Sequence, residues 1–193
     1  MPGVRVARHA GAALLLLASA LGSTVAWAGF DFKGTKALVA VTAEGERLSI
    51  GTVGFTPSDQ GLATFRLSLR DEAFTDHFLS MKEFKCLANA REITCHVPFP
   101  YRNPAIAGPG RTAWLEHSLL FLFKSPKEFG AKLWNGVYYR FEEQGSALVG
   151  SPMAVDLNEI SAPPADDTVP PFGTENRHEM PADARWIRQL VIE

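Results

Sequence analysis

From Gly29 onward the apolar and polar positions of the chain alternate with a period of two, not the roughly 3.6 of a helix. Ala63, Phe65, Leu67 and Leu69 alternate with Thr64, Arg66, Ser68 and Arg70, as in a strand with one buried face. Val137, Tyr139 and Phe141 alternate with Tyr138, Arg140 and Glu142, and Met153, Val155 and Leu157 with Ala154, Asp156 and Asn158. Further strands are expected near residues 36–42, 47–56, 82–88, 92–98, 115–123 and 146–150. Turn-forming runs separate them: Glu44 to Glu46, Pro57 to Gly61, Asn89 to Arg91, Asn135-Gly136 and Gln144-Gly145. Short strands at this spacing predict a mainly β fold, an antiparallel β-sandwich or a partly open barrel with very little helix.

Two segments read less plainly. Ser125 to Gly130 could form one helical turn, with Ser125 as cap and Pro126 at the first helical position. Thr112 to Phe123 contains a continuous apolar run that period alone cannot assign, and its second half is expected to be strand. From Ser161 to Pro181 there are five prolines and few large apolar residues, a composition that predicts an extended or disordered linker. Trp186 to Ile192 turns apolar again and is expected to dock back on the domain. The expected division is a β-rich domain over 29–160, an acidic proline-rich linker over 161–181 and a docking segment over 182–193.

The first 28 residues change the picture of where the protein works. Arg5 and Arg8 precede an uncharged apolar stretch from Ala10 to Leu21, and Ala26-Trp27-Ala28 offers a small-x-small cleavage pattern. This predicts a cleaved signal peptide over 1–28 and a periplasmic or extracellular protein. The stretch is shorter than the roughly 18–20 residues a spanning helix needs, so no stable membrane insertion is expected after cleavage. The full chain of 193 residues has a formal net charge of −2, and removing two arginines with the leader makes it −4. An acidic chain gives no footing for nucleic acid. The charge is unevenly placed: residues 82–140 balance at +5, and residues 141–181, with Arg177 as their one basic residue, at −7.

Cys86 and Cys95 are the only cysteines. A turn at Asn89 to Glu92 would set Phe84 opposite Val97, Cys86 opposite Cys95 and Ala88 opposite Ile93, close enough for a disulfide across a hairpin.

Motifs that would name a chemistry are missing. His178-Glu179 is not followed by a second helical histidine, and Gly108 to Thr112 lacks the Gly-Lys-Ser/Thr ending of a phosphate loop. No catalytic residue, metal site or cofactor is expected. The candidates for binding are aromatic and cationic: Trp134 before the Asn135-Gly136 turn, Tyr138 and Arg140 on the expected outer face of the following strand, and Tyr101 in a proline-punctuated stretch. Such a patch could stack on a sugar, a peptide or a planar ligand. The expected function is a non-catalytic binding protein of the bacterial cell envelope, its partner a small molecule, a glycan or an envelope protein. The alternatives are a small exported hydrolase-like or metal-dependent enzyme with a motif-free site, and an accessory subunit of an envelope complex.

Overall fold

In the computed structural model, residues 3, 29–79, 82–181 and 183–193 are described; the leader expected over 1–28 lies outside them but for Gly3. The described residues hold twelve strands: β1 (Gly34–Thr42), β2 (Arg47–Pro57), β3 (Ala63–Leu69), β4 (Thr75–Leu79), β5 (Lys82–Ala88), β6 (Ile93–Val97), β7 (Ile106–Ala107), β8 (Leu120–Lys124), β9 (Gly136–Gln144), β10 (Ala147–Val155), β11 (His178–Glu179) and β12 (Ile187–Ile192); β4, β7 and β11 fall outside the expected segments. They form one antiparallel sheet in the order β4-β5-β6-β8-β9-β10-β12-β1-β2-β3-β7, with β11 added to β10. The fold is mainly β, and this sheet is not closed.

The one α-helix among the described residues, α1 (Ala113–His117), and strand β8 divide the ambiguous run between them. The strand expected from 115 therefore starts at Leu120. Burial does not separate the two, since Trp114 to His117 in the helix and Leu120 to Leu122 in the strand are all enclosed, which is why the apolar run carries no readable period. Ser125 to Gly130 forms turns and no helix. The segments expected at 146–150 and 153–157 are one strand, β10, that runs through Pro152. Proline is tolerated there because β12 pairs with residues 148–150 and β11 with 153–154, leaving a gap in the ladder beside it.

Strands β8 to β10 are buried on both faces. Phe121, Val137, Tyr139, Phe141 and Leu148 join the main core with Leu38, Phe55, Leu190 and Ile192. On the opposite face Leu120, Leu122, Tyr138, Met153 and Val155 pack with the disulfide and with Leu157, Ile160 and Phe172. Residues beyond β10 thus cover the outer face. Cys86 and Cys95 are bonded across the β5–β6 hairpin, in the expected register with Ala88 opposite Ile93. Gly136 is required where β9 begins: a Cβ there would come within 2.4 Å of the Val155 carbonyl oxygen.

Candidate functional site

Strand β9 loses its neighbour early, because β8 pairs with it only at Val137 and Gly136. Beyond that point helix α1 fills the split. The Glu116 carboxylate accepts the Phe141 amide at 2.9 Å and the Thr112 hydroxyl at 2.8 Å, satisfying a backbone donor that lacks a strand partner. Glu116 is almost fully buried and His117 fully so. The His117 Nδ1–H donates to the Ala113 carbonyl at 2.6 Å, which leaves Nε2 as a lone-pair acceptor.

Around His117 stand Phe99, Trp114, Tyr138 and Phe172, the last stacked on the imidazole with ring centres 5.1 Å apart. Arg177 places its guanidinium over the Tyr138 ring at 4.8 Å and donates to the Phe172 carbonyl at 3.2 Å. Burial pushes the His117 pKa down to about 4, and the Arg177 charge adds to the effect. The imidazole is neutral at physiological pH. Burial, and then the Glu116 charge, push the Tyr138 phenol up, so it keeps its proton. The hydroxyl lies in the field of Glu116 but the geometry falls short of a hydrogen bond.

Among the described residues, three buried side-chain polar atoms have no partner: His117 Nε2, the Tyr138 hydroxyl and Arg177 Nε. All three belong to this one cluster. Unpaired buried polar atoms are costly, about 1–3 kcal/mol each, and their concentration makes this cluster the candidate site.

A pocket of about 320 Å³ adjoins the cluster at Glu116 and Arg177 and is lined also by Arg111, Thr112, Arg140 and Glu142. Arg140 is paired with Glu142 at 3.3 Å. Arg111 and Arg177 have no carboxylate partner among the described residues. Arg140 also lines a second groove of about 390 Å³, at the Pro152 gap, with Glu179 and Arg188. Among the described residues no three His, Cys, Asp or Glu side chains converge as metal ligands.

Trp134, Tyr138 and Arg140, expected to form one patch, separate, and the further candidate Tyr101 joins none of them. Arg140 is exposed and lines both pockets. Tyr138, expected on the solvent face, is fully buried, because the segment carrying Leu157, Ile160 and Phe172 covers that face. Trp134 is exposed in the β8–β9 loop, and Tyr101 is half-buried against Phe99; neither lines either pocket. Sequence reasoning missed Arg111, Glu116 and Arg177 and passed over His117. One signal was available: Arg177 is the lone basic residue among the eight acids of 141–181.

Comparison of the chain with protein-family models, with curated proteins and with solved structures finds no match in any of the three.

Proposed function

We propose that this is an exported, non-catalytic binding protein of the bacterial cell envelope, and that the arginine-lined pocket takes a small anionic ligand such as a carboxylate or an acidic sugar. The observation that carries the reading is the convergence on one pocket of two guanidinium groups without a salt-bridge partner among the described residues, Arg111 and Arg177, with the Nε of Arg177 buried and unpaired. Guanidinium groups recognise carboxylates through paired, charge-assisted hydrogen bonds. Export is supported by the leader pattern and by the buried Cys86–Cys95 disulfide, a bond that persists in oxidising compartments. No helix among the described residues is long and apolar enough to cross a membrane.

The test is calorimetric titration with succinate, citrate, galacturonate and, as a neutral control, galactose. Saturable binding of at least one acid, reduced roughly tenfold or more by Arg177→Gln and by Arg111→Gln, supports the reading. Binding that ignores both substitutions, or the absence of any acid binding, overturns it.

A motif-free enzyme is the second reading. The observation that favours it is a neutral imidazole 6.2 Å, ring centre to ring centre, from a protonated phenol, a combination able to move protons. Both groups are enclosed beneath Phe172 and would have to be uncovered first. Ester or glycoside turnover abolished by His117→Gln would establish this reading over the first.

A further inference from the structure

Five large apolar side chains are exposed among the described residues, and three of them fall within the β8–β9 loop: Phe129 at 97%, Trp134 at 63% and Leu133 at 36%. The loop is held in shape. The Ser125 amide donates to Glu128 at 2.7 Å, the Lys132 ammonium pairs with Glu128, and the Asn135 amide donates to the Lys132 carbonyl at 3.0 Å. The Leu133 carbonyl accepts the Leu157 amide at 2.9 Å, which ties the base of the loop to the end of β10. Gly130, at a φ of +70°, turns the chain beside Phe129. Apolar side chains are therefore presented to water on an ordered scaffold, and little further ordering would be needed on contact.

Charge selects the kind of partner. Residues 124–134 contain Lys124, Lys127 and Lys132 against Glu128 alone; Lys124 is buried and Lys132 pairs with Glu128, which leaves Lys127 as the charge the loop offers to a partner. Lys127 is exposed beside Phe129. We propose that the β8–β9 loop is a peripheral membrane anchor, seating Phe129, Leu133 and Trp134 in the headgroup layer of an anionic phospholipid bilayer with Lys127 at the lipid phosphates. A side chain as exposed as Phe129 projects outward. A bilayer interface yields around such a projection, whereas a protein partner needs a matching cavity. Tryptophan and lysine are the residue types favoured at that interface. This contact is superficial, distinct from a spanning segment, and independent of the arginine pocket.

The experiment mixes the full chain, or its Phe129→Ser/Trp134→Ser double variant, with vesicles of phosphatidylcholine alone or of phosphatidylcholine with phosphatidylglycerol. Both proteins keep the same N-terminus, so their difference reads the loop. The parent is expected to sediment with the anionic vesicles, weakened by salt and by Lys127→Glu, and roughly tenfold more tightly than the double variant. Brominated lipid should quench fluorescence in the parent that Trp134→Phe removes. Equal sedimentation of parent and double variant, no preference for phosphatidylglycerol, or quenching untouched by Trp134→Phe each overturns the proposal. Capture of the loop by a protein in place of lipid would show up as the first of these outcomes.

Discussion

Tyr138 and Tyr139 are neighbours on β9, both fully enclosed, and they differ in one respect. The Tyr139 hydroxyl on the core face donates to the Ile187 carbonyl at 3.0 Å, while the Tyr138 hydroxyl on the opposite face has no partner. The same phenol is thus a structural tie on one side of the sheet and an unspent donor on the other. Around Tyr139 the core is apolar and satisfied. Around Tyr138 are gathered an unpaired imidazole nitrogen, an unpaired guanidinium nitrogen and the mouth of a charged pocket. Burial alone does not single out a candidate site; burial without a hydrogen-bond partner does.

The contrast can be broken most forcefully at Phe172, which closes the Tyr138 side. Phe172→Ala should cost about 3–5 kcal/mol in urea unfolding, as for other enclosed aromatic residues. A cost below about 1 kcal/mol would mean that the covering segment is not packed in solution. Next comes His117. Its pKa in the folded protein lies below its unfolded value, so the unfolded chain takes up the proton first as pH falls. Stability should be fully present above about pH 6.5 and decline toward pH 4, by on the order of 3 kcal/mol. His117→Gln should remove that part of the slope, and the difference between the two curves separates it from carboxylates titrating at the lower end. If the two curves are parallel, His117 is not held neutral.

The paired tyrosines sharpen the comparison further. Tyr139→Phe leaves the Ile187 carbonyl without its donor and should cost about 1–2 kcal/mol. Tyr138→Phe removes a buried hydroxyl that has no partner, and with it a desolvation penalty, so it should leave stability unchanged or raise it by up to about 1–3 kcal/mol. Thermal melts of the two variants side by side suffice. Equal losses would erase the distinction between the two faces.

The alternation made most of the fold legible, since strands such as β5 and the Cys86–Cys95 register depend on neighbours close in sequence. β4 and β7 were not legible: Thr75–Leu79 is polar and mostly exposed, and Ile106–Ala107 is too short to show a period. The orientation of Tyr138 failed for a different reason. Alternation assigns one face to solvent, and it is silent when a later segment returns to cover that face. The candidate site was illegible for the same reason. Arg111, Glu116, Tyr138 and Arg177 come from a loop, a helix, a strand and the covering segment, and only tertiary structure assembles them.

Strand β12 lies between β10 and β1, with Leu38 opposite Ile192. Until the ribosome has delivered residues 187–192, the sheet exists as two unjoined parts, β1–β3 on one side and β8–β10 on the other, each with bare edges. Contacts spanning such sequence distance are late and slow to form. The nascent chain therefore stays open, and dependent on whatever shields those edges, until β12 has emerged. A stop codon just before Ile187 would leave the two parts of the sheet unjoined and their edges exposed to aggregation.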